Sequence, residues 1–410
     1  MSGQRFIRTL QVQNFLSFGA AKEEIRLEQL NVLIGPNAAG KSNVIETMSL
    51  LRAAPDDLTR PIREGGGISE WLWKGARGTP TAEIDVTISY PEGLQPLRYR
   101  LAFTMVGQRM ELVDEAVENA APESHHDDAY FYYRYQRGRP ALNVRSVVEA
   151  PPGAATGRIK RAVRREDLIP DQSVLSQRKD PDQYPELTYL GRSFASIALY
   201  REWDLGRFTA PRLPQKPDLP SDFLLEDASN LGLVLNDLQH QGDTKEQIIA
   251  RLNHFYPAIT DITTRLQGGT VQIFVHERGM SQPIPATRLS DGTLRYLCLL
   301  AVLLHPAPPP LICIEEPELG MHPDVIPALA EMLVAASQRT QLIVTTHSET
   351  LVSALTEIPE AVIVCERDDA GTKLRRLDPD QMKHWLTQYS LGELWRMGEL
   401  VLQRGLSFRA

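Results

Sequence analysis

The sequence has little cysteine and no long apolar segment. Its three cysteines, Cys298, Cys313 and Cys365, all lie in apolar stretches, and no two of them have C-x-x-C spacing. They therefore predict buried, reduced thiols in a cytoplasmic protein rather than a disulfide scaffold. The longest apolar run, residues 297–304, is far shorter than the roughly 20 residues that a bilayer crossing needs. Neither a membrane span nor a secretory leader is expected.

The sequence also lacks an excess of positive charge. It contains 44 lysines and arginines against 52 aspartates and glutamates, which gives a formal net charge of −8. The whole chain therefore has no electrostatic footprint for nucleic acid, and any such contact is expected to be local. A content of 42% hydrophobic and 23% charged residues excludes a disordered or collagen-like chain. The length of 410 residues is typical of two or three domains.

Hydrophobic patterning divides the chain into three predicted domains. Residues 1–115 and 271–410 alternate strand-like and helix-like segments, whereas residues 116–270 are rich in proline and less regular. Continuous apolar strands are typical of a sheet that is buried on both faces. The pattern therefore predicts an α/β fold with a mixed sheet flanked by helices, plus an α/β insertion. The predicted strands include 30–34, 97–106, 311–314, 342–346 and 362–365, and the predicted helices include 41–52, 230–239 and 244–255.

A phosphate-binding loop is predicted at residues 35–42, GPNAAGKS, which match G-x-x-x-x-G-K-[ST] between a predicted strand and a predicted helix. The glycines let the backbone turn tightly, so that successive N–H groups and the helix N-terminus face phosphate. An ordinary glycine-rich turn is the alternative interpretation. Lys41 is expected to act on the β- and γ-phosphates and Ser42 to ligate Mg²⁺. The residues predicted to bind nucleotide here are Asn37, Ala38, Ala39, Gly40, Lys41, Ser42 and Asn43.

Two carboxylates follow the buried strand 311–314. In a doubly wound sheet, ligands bind at the carboxyl ends of the strands. Glu315 is predicted to organise Mg²⁺, and Glu316 is predicted to activate the attacking water. On its own, such a pair is more often only the polar end of a strand. Its presence in a chain with a phosphate loop favours the catalytic interpretation.

Two further sites are predicted in residues 271–410. Ser290 and Gly292, in the stretch LSDGT, precede an apolar helix whose N-terminus can face a γ-phosphate. Helix capping by Ser290 alone is the simpler interpretation. His347 follows the strand 342–346 and is predicted to sense the γ-phosphate by hydrogen bonding, although a lone histidine there is usually structural.

The ordered set of motifs resembles a known family. GPNAAGKS, LSDGT, ICIEEPELGMHP and TTHS together look like the ABC-type ATPase head of SMC-like and RecF-like proteins. The stretches IREGGGISEWLWKG and SLGELWRMG resemble more closely the bacterial AAA ATPases of the overcoming-lysogenization-defect type. Members of that group occur in anti-phage systems such as Septu and PARIS. The resemblance covers most of the chain.

The resemblance implies a P-loop ATPase of the ABC type that dimerises head-to-tail around ATP and Mg²⁺. Ser290 and Gly292 would be the signature residues, acting on ATP held by a second subunit, and His347 would be the switch histidine. Asn14 and Phe15 lie where the family's first loop approaches the nucleotide. The signature has Asp291 where the commonest form has glycine, and Glu315 stands where many heads carry aspartate.

The resemblance also implies a partner. Only 63 residues follow His347, so no Toprim nuclease domain is expected, and a separate effector, a nuclease or toxin, would be controlled. The basic stretch 158–165 and the aromatic and arginine-rich stretch 130–139 are candidate nucleic-acid contacts, but a charged face beside a strand with buried aromatics is favoured. A nucleotide-gated scaffold with little turnover and an SMC-like or RecF-like DNA repair ATPase remain the alternatives.

Overall fold

The computed structural model describes residues 5–122, 128–136, 139–148, 158–164, 168–169 and 172–400. The chain forms two compact units, one within residues 4–197 and 363–377 and the other within residues 198–362 and 378–400. We call the first the phosphate-loop unit and the second the signature unit. The predicted insertion, residues 116–270, contributes to both units. The predicted domain boundaries at residues 115 and 270 stay a prediction.

The phosphate-loop unit contains eleven of the described strands and five helices. The strands are β1 (Ile7–Gln13), β2 (Glu23–Arg26), β3 (Leu30–Ile34), β4 (Ala82–Ile88), β5 (Leu97–Val106), β6 (Arg109–Asn119), β7 (Phe131–Gln136), β8 (Arg139–Val148), β9 (Arg158–Arg164), β16 (Val362–Asp368) and β17 (Gly371–Arg376). The helices are α1 (Lys41–Ala53), α2 (Arg60–Glu64), α3 (Ile68–Trp71), α4 (Val174–Gln177) and α5 (Pro185–Ala195).

An eight-stranded antiparallel sheet, in the order β2-β1-β4-β5-β6-β7-β8-β9, forms most of this unit. One face of β4 and β5 is fully buried, where Tyr99 packs edge-on against Phe194 of α5 at 5.4 Å between ring centroids. The other face carries ion pairs, such as Arg98 with Asp85 and Glu118. Successive side chains along these strands therefore point alternately to an apolar core face and to a polar face.

The short strand β3 carries the phosphate loop at its carboxyl end. All five residues of β3 are buried, as the apolar run 30–34 predicts. It lies beside β16, which pairs antiparallel with β17. Helix α1 begins at Lys41, directly after the loop. This strand, loop and helix confirm the local structure that the sequence predicts.

The signature unit contains the remaining described elements. The strands are β10 (Ala198–Tyr200), β11 (Ile259–Gln267), β12 (Thr270–Glu277), β13 (Ile284–Pro285), β14 (Leu311–Glu315) and β15 (Gln341–Thr345). The helices are α6 (Leu231–Leu238), α7 (Thr244–Phe255), α8 (Asp291–Leu303), α9 (Ile326–Ser337), α10 (Glu349–Ser353), α11 (Pro379–Leu386) and α12 (Leu391–Arg396). Three 3₁₀ helices are Ala286–Arg288, Pro323–Val325 and Pro359–Ala361.

Parallel strands form the centre of the signature unit. β10 pairs with β14, and β14 pairs with β15, in each case parallel. All of β15 and four of the five residues of β14 are buried, so both strands read as continuous apolar runs. The carboxyl ends of β14 and β15 therefore lie side by side, with Glu315 opposite Thr345. This arrangement positions the predicted carboxylates.

Helix α12 shows why the stretch SLGELWRMG has its particular residues. Ser390 and Glu393 form a reciprocal capping box at its N-terminus. Gly392 lies so close to α10 that a Cβ would meet the carbonyl oxygen of Glu349 at 2.3 Å. A side chain larger than hydrogen would therefore push α12 away from α10. None of the helices in the described parts of the chain combines the length and apolarity that crossing a membrane requires.

A buried carboxylate anchors α4 to the large sheet. Glu115 of β6 is 0% exposed. The Tyr99 and Ser173 hydroxyls donate to its Oε1 at 2.8 and 2.5 Å, and the Val174 backbone N–H donates to its Oε2 at 2.9 Å. Burial raises the pKa of Glu115 to about 7, although these hydrogen bonds act in the opposite direction.

This pKa makes the stability of the protein depend on pH. Between the ordinary carboxyl range and about pH 7, the folded state keeps a proton that the unfolded state releases, so the free energy of unfolding falls as pH rises. We expect Glu115→Gln to remove this pH-dependent decrease in the free energy of unfolding, which amounts to roughly 3 kcal/mol at most. Thermal unfolding of the variant and the wild type from pH 5 to 7.5 measures it. Glu111→Gln, at an exposed position of β6, is the matched control, and a constant difference between variant and wild type would contradict the expectation.

Candidate functional site

The phosphate loop is held in a strained curve by two glycines. Gly35 has φ 147° and Gly40 has φ 99°, a region that favours glycine. A Cβ at Gly35 would lie 2.2 Å from the carbonyl oxygen of Cys365, and one at Gly40 would lie 2.3 Å from the Oγ1 of Thr372. Neither position has space for a side chain. The loop therefore packs directly against β16 and β17.

Lys41 is buried inside the curve of the loop, with only 7% of its surface exposed. Its ammonium donates to the carbonyl oxygens of Gly35 and Pro36 at 2.9 and 3.0 Å. The Thr372 hydroxyl donates to the carbonyl of Ala39 at 3.0 Å and lies 2.6 Å from the Oγ of Ser17. These bonds hold the loop from both sides.

The outer surface of the loop suits a polyphosphate. Asn37, Ala38 and Ser42 are exposed, and Ala38 adopts a left-handed φ of 63°. Helix α1 has no acidic residue in its first turn, so nothing there opposes an anion at its N-terminus. The Ser42 hydroxyl is a hard oxygen donor of the kind that Mg²⁺ prefers. The residues present therefore fit a magnesium nucleotide.

The two residues predicted from the first loop differ in exposure. Asn14 is half-buried, with φ 52°, and its Nδ2 donates to the carbonyl of Thr81 at 3.0 Å. Phe15 is fully buried, and its ring packs against Trp71 and Phe103 at 5.6 and 6.1 Å between centroids. The Phe15 side chain thus belongs to the core and anchors the loop. Its role as a nucleotide-binding residue stays a prediction.

A cavity of about 500 Å³ lies beside the phosphate loop, within the same unit. Asn43 and Ser17 lie on its wall and bond to each other at 2.5 Å. The Trp73 indole lines it as well, and the Arg367 guanidinium lies 5.9 Å from the centroid of that ring. The sequence pattern alone assigned Trp73 no role. Its role is indicated by the long-range contact with Arg367 of β16, which a local sequence pattern cannot show.

In the signature unit, the predicted catalytic carboxylate and histidine lie together. The Glu316 carboxylate is 3.7 Å from the Nε2 of His347, and the two side chains are 42% and 38% exposed. Glu316 adopts φ 45°, a left-handed conformation that is uncommon for glutamate, and its N–H donates to the carbonyl of Thr345 at 3.0 Å. Strain of this kind clusters at functional sites. Neighbouring Glu315 pairs with Arg201 at 3.9 Å.

Glu318 is a functional candidate that sequence reasoning missed. Its Oε1 accepts hydrogen bonds from the Thr346 hydroxyl and from the His347 N–H, the latter at 3.1 Å. A third carboxylate in the stretch EEPE was the available signal. Glu318 thus positions the backbone that carries His347, which aligns the histidine beside Glu316.

Ser290 and Gly292 form an exposed turn at the start of α8, which we call the signature turn (residues 289–292). The Ser290 Oγ accepts from the Thr293 N–H at 3.1 Å, which confirms the predicted cap. A Cβ at Gly292 would lie 2.8 Å from the carbonyl oxygen of Gly320. Ser290 and the N-terminus of α8 therefore face solvent, and the loop after β14 packs closely behind them.

The described part of the candidate nucleic-acid segment has internal partners. Arg134 pairs with Glu118 at 3.0 Å and stacks over Phe131, and Tyr133 is buried. These contacts favour the strand with buried aromatics over a nucleic-acid surface. Residues 137–138 and 165, and the side chains of residues 158–164, lie outside the described residues.

The phosphate-loop residues belong to one unit, and the carboxylate, histidine and signature residues belong to the other. Among the described residues, no group of three or more histidines, cysteines or acidic residues could hold a metal ion. A magnesium nucleotide does not need such a group, because phosphate oxygens and water supply most of its ligands.

The fold is that of an SMC head. A solved structure described as the SmcHead bound to the C-winged helix domain of ScpA has a TM-score of 0.57 and 13% identity, over 92% of this chain and 99% of that chain. An Smc head with an extended coiled coil, bound to the C-terminal domain of ScpA derived from Pyrococcus furiosus, has a TM-score of 0.54 and 13% identity, over 93% and 99% of the two chains. The predicted fold class is therefore confirmed.

A family model shows where the chain belongs. No curated protein matches the sequence. The model described as "AAA domain, putative AbiEii toxin, Type IV TA system" matches residues 30–353, which include the phosphate loop, the signature turn, the carboxylates and His347. The match supports an AAA-type, P-loop ATPase and leaves the finer anti-phage grouping a prediction. The chain belongs to this family of AAA domains.

Proposed function

We propose that this chain hydrolyses ATP, dimerises head-to-tail around it, and acts as the sensor or motor of a bacterial anti-phage complex with a separate effector. The observation that carries the proposal is the phosphate loop, whose curve is held by Gly35, Gly40 and Lys41 through contacts within the chain. Such preorganisation removes the cost of ordering a binding loop. The AAA family and the SMC-head fold support the same function.

The proposed reaction assigns separate roles to the residues of each unit. The backbone N–H groups of the phosphate loop and Lys41 bind the β- and γ-phosphates. Glu316 accepts a proton from the attacking water, and His347, beside it, donates a hydrogen bond to the γ-phosphate. Ser42 and Glu315 are the residues that would hold Mg²⁺, and the ion would supply neutralisation of phosphate charge.

The cavity beside the loop supplies the nucleoside part of the site. A volume of about 500 Å³ accommodates a base and a ribose, and Trp73 offers an aromatic face for stacking. Ser17 and Asn43 on its wall supply polar groups for the sugar. Asn14, from the same first loop as Ser17, belongs to this part of the site in the proposal.

The exposed signature turn is the reason to propose a dimer. The N-terminus of the 13-residue α8 carries exposed Ser290, and a helix N-terminus favours an anion. We propose that it faces the γ-phosphate on the phosphate loop of a second subunit. ATP then joins two subunits, and hydrolysis releases them.

The effector and the scaffold alternative rest on different observations. The solved heads of this fold are described as bound to domains of ScpA, which supports control of a separate protein by this head as well. A nucleotide-gated scaffold with little turnover is favoured by one contact, because Arg201 pairs with Glu315 at 3.9 Å and partly satisfies the carboxylate proposed for Mg²⁺.

The first test is turnover. We expect Lys41→Ala and Glu316→Gln each to lower kcat for ATP by about 100-fold or more, because phosphate binding and proton acceptance are lost separately. Steady-state phosphate release measures both. Lys22→Ala and Glu331→Gln, at surface positions outside the proposed site, are the matched controls. Equal activity of all five proteins would contradict an ATPase, and negligible activity of the wild type would favour the scaffold.

The second test is dimerisation. Glu316→Gln retains ATP, so we expect light scattering to show twice the monomer mass with ATP and the monomer mass without it. Ser290→Arg, which places a bulky side chain at the signature turn, should abolish the ATP-bound dimer. A monomer of Glu316→Gln at saturating ATP would contradict the head-to-tail arrangement.

The third test concerns the cavity. We expect Trp73→Ala to weaken ATP binding about tenfold, because stacking on an aromatic ring is worth about 1–3 kcal/mol. Binding of tripolyphosphate, which has no base, should stay unchanged. Calorimetric titration of both ligands measures this, with Trp385→Ala of α11 as the control. Equal weakening of ATP and tripolyphosphate would show a damaged phosphate loop instead of a lost base contact.

A further inference from the structure

A short segment of the signature unit connects the carboxylates to the signature turn. This segment, residues 201–212, leaves β10 beside the end of β14, where Tyr200 pairs with Ile314. Arg201 then pairs with Glu315. The segment ends at Arg212, which contacts the signature turn. We call it the strap, and it lies in the part of the chain where the sequence predicts an insertion.

Arg212 is almost completely enclosed, with 7% of its surface exposed. Its Nε donates to the carbonyl of Leu205 at 2.8 Å, which closes the strap on itself. Its Nη1 donates to the carbonyls of Leu289 and Ala286, the latter at 3.4 Å, and its Nη2 pairs with the Asp291 carboxylate. Every nitrogen of the guanidinium therefore has an acceptor, as a buried cation requires.

These acceptors lie on both sides of Ser290. Leu289 precedes it and Asp291 follows it, so one rigid guanidinium holds the backbone before the serine and the side chain after it. The planar fork of arginine fixes direction as well as distance, which a lysine ammonium does not do. Ser290 itself has only the local cap to Thr293 within its own helix. Arg212 thus sets the direction in which the signature turn points.

The exposure of Asp291 indicates that this contact serves more than the core. Its side chain is 73% exposed although its partner is buried, so the pair joins the enclosed strap to the solvent-facing signature turn.

The middle of the strap is packed against the same helix. The Arg295 guanidinium of α8 lies 5.7 Å from the centroid of the Trp203 ring. Burial lowers the pKa of Arg295, and the carboxylates of Asp291, Glu316 and Glu318 oppose this shift. Arg295 therefore remains a cation between the signature turn and the catalytic carboxylate. The strap, α8 and the end of β14 form one charged cluster.

We propose that Arg212 is a positioning residue, which holds the signature turn so that Ser290 and the N-terminus of α8 reach the γ-phosphate bound by a second subunit. This role rests on the proposed function. Its loss misdirects the turn without touching the phosphate loop. A misplacement of about 1 Å can lower a catalytic rate roughly 100-fold.

Each ATP site of the proposed dimer combines the phosphate loop of one subunit with the signature turn of the other. Mixing two variants in one dimer therefore tests the two ATP sites separately. We expect Arg212→Met to lower kcat about 10- to 100-fold with KM for ATP within about twofold of wild type. When Arg212→Met is mixed one to one with Lys41→Ala, half of the dimers contain one subunit of each variant. Each of these mixed dimers has one intact ATP site. Phosphate release should then rise to roughly a quarter of the wild-type value. A misfolded subunit cannot restore activity, so restoration also shows that Arg212→Met folds.

Two further variants make each outcome decisive. Ser290→Ala, which adds no bulk at the signature turn, is mixed with Lys41→Ala to test the site between subunits itself. If this mixture regains activity and the Arg212→Met mixture does not, the positioning role is wrong and the proposed function stands. If neither mixture regains activity, the shared site is wrong and the positioning role falls with it.

Asp291→Ala tests the same contact from its largely exposed side, and thermal unfolding is measured beside kcat because the variant leaves the buried Arg212 without its carboxylate. It leaves Arg212 in place and removes one acceptor, so kcat should fall about tenfold at constant KM. Wild-type kcat in this variant would overturn the proposal.

Discussion

The phosphate loop depends on two places where the backbone has no space for a side chain. Gly35 packs against the carbonyl of Cys365, and Gly40 packs against the hydroxyl of Thr372, so the loop between β3 and α1 is shaped by β16 and β17. Lys41 closes the same curve from within. Because two distant parts of the chain meet here, the strand, the loop and the helix have one arrangement. The direction of the loop N–H groups follows from it, and so does the placement of the cavity beside Asn43.

In the signature unit, charged side chains hold the functional loops in place, instead of close packing of the backbone. Its functional residues lie at the ends of β14 and β15 and at the start of α8, where the backbone is irregular. Glu318 holds His347, and Arg212 holds the signature turn. Buried or half-buried polar groups of this kind are costly unless every partner is present. The signature turn at the start of α8 remains exposed where a second subunit is proposed, whereas the apolar part of the helix is buried.

The sequence predicts the local features well because they depend on neighbours in the chain. The buried strand Leu30–Ile34, the helix after it, the strand Leu97–Val106 and the Ser290 cap all follow from short patterns. The sheet strands β6 and β7 were less visible, since ion pairs such as Arg134 with Glu118 put charge on one face. Arg212 and Trp73 could not be assigned, because their partners Asp291 and Arg367 are far away in sequence. Phe15 is buried against Trp71 and Phe103, a long-range packing that the sequence does not show, and its predicted nucleotide-binding role stays a prediction.

The central claim is that one ATP is shared by the phosphate loop of one subunit and the signature turn of another. A structure of Glu316→Gln with ATP and Mg²⁺ tests this most directly. The account predicts a dimer in which the phosphates lie on residues 35–42 of one subunit and Ser290 of the other subunit lies within hydrogen-bond distance of the γ-phosphate. A nucleotide bound to a monomer, or one that lies away from the phosphate loop, would contradict it.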